Sequence, residues 1–138
     1  MLFRSGAPGG GKSACAREVI SELDIDPDRV VEFTASLRDP VDVLGTPNNT
    51  GEYTRWVPPE EFYKLRRGVG RAALILEELS DAPVPMQNAL CGVIYDKRAG
   101  NLQLSDQLFI IATGNRTEDK SGAARITSKL ANRTRRFD

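Results

Sequence analysis

Near its amino terminus the chain reads Gly6-Ala7-Pro8-Gly9-Gly10-Gly11-Lys12-Ser13, which matches the phosphate-loop pattern G-x-x-x-x-G-K-[ST] at every position. Glycines let successive backbone N–H groups curl around phosphate groups, and the positive end of the following helix points at them. We expect Lys12 to reach the β- and γ-phosphates and the Ser13 hydroxyl to bind Mg²⁺. The competing interpretation is a flexible glycine turn that binds nothing.

The flanking sequence favours the phosphate loop. Leu2 and Phe3 begin a strand-like segment before it, and apolar residues recur at helical spacing from Lys12 to Leu23 after it. We therefore predict binding of ATP with Mg²⁺ by a loop of nine residues. These are Gly6, Ala7, Pro8, Gly9, Gly10, Gly11, Lys12, Ser13 and Ala14.

Two adjacent acids, Glu77 and Glu78, follow the apolar run at residues 72–76, which is typical of a strand buried on both faces of a parallel sheet. Ligands of open α/β sheets bind at this carboxyl edge. We expect Glu77 to hold Mg²⁺ through its water shell and Glu78 to orient and polarise an attacking water. Aspartate is usual at the first position, and acids after a strand can also simply cap the next helix.

Asn115 follows another apolar run, at residues 108–112, and is expected to hold the attacking water against the γ-phosphate. A loop asparagine that bonds its own backbone is the alternative. Because the chain contains no histidine, it must use a carboxylate or nothing as its general base, and Glu78 is the candidate.

Strand-like and helical segments alternate along the chain, which predicts an α/β fold with parallel βαβ units. We predict a second strand at residues 30–34, a short helix at 60–67, a helix after Pro83 and Pro85, and a last helix at 125–132. A hairpin turn between short arms is predicted at residues 47–51, and a small hairpin at 101–106.

Composition points to a single reduced, cytoplasmic domain over residues 1–138, with neither a signal peptide nor a membrane span. The 19 Lys and Arg residues balance 19 Asp and Glu residues. They are unevenly placed, because residues 115–138 carry seven basic and three acidic side chains. Such asymmetry suggests that the two ends face different partners, although a solvated basic helix is the simpler interpretation.

Taken together, these motifs resemble the AAA+ ATPases, and within them the MoxR-like and dynein-related group. The matching segments are residues 6–13 (Walker A), 75–82 with 87–90 (Walker B and its helix) and 112–115 (sensor 1), followed by similarities at 122–125 and 130–133. The resemblance implies a P-loop NTPase fold whose parallel sheet has the strand order 5-1-4-3-2 and is flanked by helices. It also makes residues 46–58 a β-hairpin insert of the helix-2 type.

The same resemblance implies ATP hydrolysis between neighbouring subunits of a ring, commonly a hexamer. The arginine finger given in trans then falls on Arg133, with Arg125 as its competitor. A remodelled protein, or a partner of the von Willebrand factor A type, is implied as well. The family's C-terminal helical lid has no counterpart in residues 1–138.

Two other functions fit the phosphate loop. A small P-loop kinase would transfer phosphate to a metabolite, but Glu78 and Asn115 suit a water nucleophile better. A nucleotide-binding module for nucleic-acid translocation is the third hypothesis, and the neutral overall charge argues weakly against it.

Overall fold

A computed structural model describes the backbone of residues 2–6, 11–115 and 135–137, and the side chains of residues 11, 12 and 14–114. The strands within these ranges are β1 (Leu2–Gly6), β2 (Val30–Thr34), β3 (Thr46–Asn48), β4 (Arg55–Val57), β5 (Ala72–Glu77), β6 (Arg98–Ala99), β7 (Leu102–Gln103), β8 (Leu108–Asn115) and β9 (Arg135–Phe137).

Five of these strands form one parallel sheet in the order β2-β5-β8-β1-β9. Counting only these five along the chain, the order is 5-1-4-3-2 when read from the β9 edge, as the resemblance implied. The apolar runs at residues 72–76 and 108–112 are strands as predicted, although β8 continues to Asn115. β9 lies in an arginine-rich segment where the apolar pattern indicated no strand.

The α-helices among the described residues are α1 (Lys12–Glu22), α2 (Val41–Leu44) and α3 (Val84–Asp96). The helices α1 and α3 match the predicted ones, and Pro85 is tolerated in α3 because it lies in the first turn, where the backbone N–H has no intrahelical partner. The short helix predicted at residues 60–67 is a 3₁₀ helix over Glu60–Leu65. The helix predicted at residues 125–132 lies outside the described residues.

The helices α1 and α3 pack on opposite faces of the sheet, and β5 contributes to both interfaces. Its side chains alternate: Leu74 and Leu76 join the apolar cluster that contains α3, whereas Ile75 joins the cluster that contains α1. Residues 72–76 are completely buried, as expected of a central strand in a parallel sheet. Among the described residues, no helix has the length and apolar character needed to cross a bilayer.

The predicted hairpin at residues 46–58 forms as the antiparallel pair β3–β4. The second hairpin was predicted at residues 101–106. It lies earlier in the chain, where β6 pairs with β7 across a turn at Gly100 and Asn101. Asn101 joins the two hairpins: its backbone N–H donates to the Trp56 carbonyl at 2.8 Å, and its side-chain oxygen accepts from the Trp56 N–H.

Gly100 makes this close approach of the hairpins feasible. Its φ is +56°, and a Cβ added there would lie 2.5 Å from the Trp56 carbonyl oxygen. Gly68 has φ +95° but open space around the equivalent position. Comparing an alanine substitution at Gly100 with one at Gly68 therefore distinguishes the cost of steric overlap from the cost of backbone strain.

We predict that Gly100→Ala lowers the free energy of unfolding by at least about 1 kcal/mol more than Gly68→Ala, because it adds steric overlap to backbone strain. Denaturant unfolding of both variants measures the difference. Gly51→Ala, where φ is not positive and no atom lies within 4 Å, is the control that should resemble the parent. Equal losses at positions 100 and 68 would contradict close docking of the hairpins.

Candidate functional site

The parallel register brings the predicted site residues to one edge of the sheet. Gly6, at the end of β1, pairs with Asn115, at the end of β8. On the other side of β8, Leu76 of β5 pairs with Ala112 of β8. Glu77 is the next residue of β5 after that pair. Glu77 in turn pairs with Thr34 of β2. The start of the glycine-rich loop and the two acids thus leave the sheet at its carboxyl edge.

The last residues of the loop are described, whereas residues 7–10 lie outside the described ranges. Gly11 precedes α1 with φ +73°, and an added Cβ would meet no atom within 4 Å, so conformation rather than crowding favours glycine there. Lys12 is the first residue of α1 and is half-buried, and Ala14 is exposed. Ser13 is helical in its backbone, and its side chain is outside the described set.

Glu77 is the more buried of the two acids, with 18% of its side chain exposed. The Thr34 hydroxyl donates to Glu77 Oε2 at 3.1 Å. The other oxygen, Oε1, lies 4.0 Å from the Arg17 guanidinium, which is too long for a hydrogen bond but close enough for charge attraction. The carboxylate is therefore oriented by a hydroxyl on one side and faces a cation on the other.

Glu78 is exposed and adopts a left-handed backbone conformation, with φ 56° and ψ 39°. This conformation is uncommon for a residue with a Cβ and marks a sharp turn at the end of β5. Two hydroxyl groups stabilise the turn: Thr113 Oγ1 accepts from the Glu78 N–H at 3.3 Å, and the Ser36 hydroxyl donates to the Glu78 carboxylate. The turn sends Glu77 and Glu78 in different directions.

A paired guanidinium and carboxylate lie beside these acids. Arg17 of α1 donates from Nε to Glu32 Oε1 at 2.5 Å and from Nη2 to Glu32 Oε2 at 2.9 Å. Hydrogen bonding to Glu32, followed by its charge, raises the pKa of Arg17, and the hydrogen bond from Arg17 lowers the pKa of Glu32. The pair is therefore charged at neutral pH, and its contribution to stability is lost as the pH falls through the lowered pKa of Glu32.

The remaining predicted residues are placed only in part. The backbone of Asn115 lies beside Gly6 in the sheet, and its side chain is outside the described set. Arg125 and Arg133 both lie outside the described residues. The arginine-finger assignment therefore stays a prediction.

Oxygen ligands are what a magnesium site needs, and Glu77 offers a carboxylate at the edge of the sheet. Among the described side chains, no cluster of three or more metal-binding groups occurs. Mg²⁺ is usually held by one or two carboxylates together with substrate phosphates and water, so the chemistry of Glu77 fits a nucleotide-bound Mg²⁺ rather than a cage made by the protein alone.

Four residues at this edge were not singled out from the sequence: Arg17, Thr34, Ser36 and Thr113. Each is distant along the chain from the acid that it contacts, so local pattern gives no signal for the pairing. Thr34 was at least placed at the end of a predicted strand. The strand order implied by the resemblance already put its strand beside the strand that ends in Glu77, and only the register between the two strands was missing.

We predict that Thr113→Val lowers the free energy of unfolding by about 1 kcal/mol, because it leaves the Glu78 N–H without its acceptor at a strained turn. The substitution keeps the side-chain shape, and Thr113 is only 2% exposed. Thr113→Ser, which keeps the hydroxyl, is the matched control. Denaturant unfolding in which both variants lose equal stability would contradict a role for the hydroxyl.

Comparison with known proteins identifies the fold. No protein-family model matches the sequence, and no curated protein matches it. Among solved structures, a crystal structure of a candidate ATPase from Cytophaga hutchinsonii is similar, with a TM-score of 0.58 and 19% sequence identity. The match covers 99% of this chain and 41% of that protein, so the chain spans about two fifths of its length. At this identity the likeness shows a shared α/β fold.

Proposed function

We propose that this chain is an ATPase module of the AAA+ type that binds ATP with Mg²⁺ and hydrolyses it. The observation that carries the proposal is the strand register, which brings the end of β1 and the acids after β5 to one edge of the sheet. The candidate ATPase from Cytophaga hutchinsonii, which has a similar fold, supports the same conclusion.

Binding rests on the glycine-rich loop and the first turn of α1. Residues 6–14, apart from Pro8, supply backbone N–H groups and the Lys12 ammonium for the phosphates, while Ser13 and Glu77 supply oxygen atoms for Mg²⁺. When bound, Mg²⁺ neutralises charge on the β- and γ-phosphates. The hydroxyl of Thr34 donates to Glu77 Oε2 and so orients the carboxylate at this edge of the sheet.

Hydrolysis needs a group that orients and polarises water, and we assign this role to Glu78 with help from Asn115. Glu78 is exposed at the edge of the sheet, so water can reach its carboxylate. Its hydrogen bond from Ser36 occupies Oε2 in this structure. A carboxylate held by a neutral hydroxyl remains free to accept a second hydrogen bond from water.

We further propose that the chain assembles with copies of itself. A ring, commonly a hexamer, would allow Arg133 of one subunit, or Arg125, to act on the phosphate held by its neighbour. The first hairpin, which Asn101 joins to the second, carries the exposed Tyr53 and Trp56, and this suits contact with a protein partner such as a von Willebrand factor A domain.

The proposal is tested by calorimetric titration of ATP with and without Mg²⁺. We expect magnesium-dependent binding to the parent chain and its loss in Lys12→Ala. Phosphate release without an added acceptor then distinguishes an ATPase from a kinase. A folded parent chain that binds no nucleotide would refute the proposal.

We predict that Glu78→Gln keeps ATP binding but lowers turnover by about 100-fold or more, because the amide polarises water poorly. Titration and phosphate release measure the two properties separately. Glu52→Gln, which changes an exposed acid in the turn of the first hairpin, is the matched control and should leave turnover unchanged. Hydrolysis by the Glu78 variant at the parental rate would remove this residue from the mechanism.

For the arginine finger, we predict that Arg133→Ala abolishes hydrolysis while ATP binding persists. Mixing this variant with Glu78→Gln tests action between subunits. In a mixed ring, some boundaries place a subunit with an intact Glu78 next to a subunit with an intact Arg133. Recovery of activity on mixing supports action in trans. If Arg125→Ala alone abolishes hydrolysis, the finger is Arg125.

A further inference from the structure

The ion pair between Arg17 and Glu32 joins α1 to the edge strand β2 beside the predicted metal ligand. Arg17 lies five positions after Lys12, about 7.5 Å further along α1. In the pairing of β2 with β5, Glu32 is opposite Ile75 and Thr34 is opposite Glu77. Two β2 residues on the α1 face of the sheet therefore contact the two charged groups, Arg17 and Glu77.

Glu32 determines where the guanidinium of Arg17 lies. Both oxygens of Glu32 accept hydrogen bonds from Arg17, in the two-pronged geometry that fixes the plane of a guanidinium. In that position Arg17 Nη2 remains 4.0 Å from Glu77 Oε1. Arg17 thus places positive charge beside Glu77 without forming a hydrogen bond to it.

The guanidinium lies at an open surface and is not confined by packing. Arg17 and Glu32 line an open cleft of about 410 Å³ between α1 and β2. The Arg17 side chain is 55% exposed, and Glu32 is 37% exposed. Among the described residues, the second carboxylate within ion-pair distance of Arg17 is Glu77, whose Oε1 lies 4.0 Å from Nη2.

From this geometry we propose that Arg17, held by Glu32, sets the affinity of the Glu77 site for a divalent cation. The proposal rests on the function assigned above and adds a positioning pair to it. A cation bound at Glu77 is repelled by the nearby guanidinium, so Arg17 weakens metal binding. Glu32 limits this effect, because it neutralises Arg17 and keeps it from pairing fully with Glu77.

The proposal makes opposite predictions for the two members of one ion pair. Arg17→Gln removes the repelling charge, and we expect Mg²⁺ to bind about 3- to 10-fold more tightly to the ATP complex. Glu32→Gln releases Arg17 toward Glu77, and we expect Mg²⁺ to bind more weakly by a similar factor. If the ion pair only fastens α1 to β2, both substitutions should change the Mg²⁺ affinity in the same direction.

The test is a Mg²⁺ titration at fixed, subsaturating ATP, with nucleotide binding followed by calorimetry. The readout is the ratio of ATP affinity with and without Mg²⁺ within each variant, which a uniform loss of folded protein does not change. Arg17→Lys keeps the charge but loses the two-pronged contact, so it should not show the tighter Mg²⁺ binding of Arg17→Gln, and tighter binding in Arg17→Lys would overturn the proposal. Denaturant unfolding of all variants gives the cost of losing the ion pair.

Opposite shifts in Arg17→Gln and Glu32→Gln support the proposal. Shifts in the same direction, or unchanged Mg²⁺ dependence in Arg17→Gln, overturn it while leaving the ATPase assignment intact. A parent chain that binds ATP equally well with and without Mg²⁺ overturns both this inference and the metal-binding role of Glu77. The two failures are therefore distinguishable in one set of titrations.

Discussion

The parallel pairing of β5 with β8, and of β8 with β1, is the constraint on which the candidate site depends. Parallel strands end at the same edge, so residues far apart along the chain meet there. The pairing is stabilised by burial of residues 72–76 between the apolar clusters around α1 and α3. A shift of one position would turn Glu77 to the other face of the sheet, because side chains alternate between the faces.

Hydroxyl groups, rather than cations, make the direct contacts to the two acids. Thr34 and Ser36 follow one another around the end of β2, and each donates to a different carboxylate. Such neutral contacts fix an orientation without cancelling the negative charge. Arg17 is hydrogen-bonded to Glu32, and its guanidinium lies 4.0 Å from the Glu77 carboxylate. The edge of the sheet therefore keeps carboxylate charge available for a cation and for water.

The sequence predicted the parts of this structure that leave a local pattern. Glycine spacing with Lys12 predicted the loop, and the apolar run before Glu77 predicted the buried strand. The hairpin at residues 98–103 was misplaced even though Gly100 and Asn101 form a local turn signal between its two short strands. Arg17 was missed because the pattern within α1 does not show which of its residues faces the strands that carry Glu32 and Glu77, although the resemblance implied that these strands are neighbours.

The central claim is that ATP and its metal ion bind at the edge of the sheet, between the glycine-rich loop and Glu77. It is tested most directly by a crystal structure with a slowly hydrolysed ATP analogue and Mn²⁺, whose anomalous signal locates the metal. We predict phosphates against residues 6–13 and a metal peak within direct or one-water contact of the Glu77 carboxylate. Nucleotide bound elsewhere, or a metal peak remote from Glu77, would contradict the account.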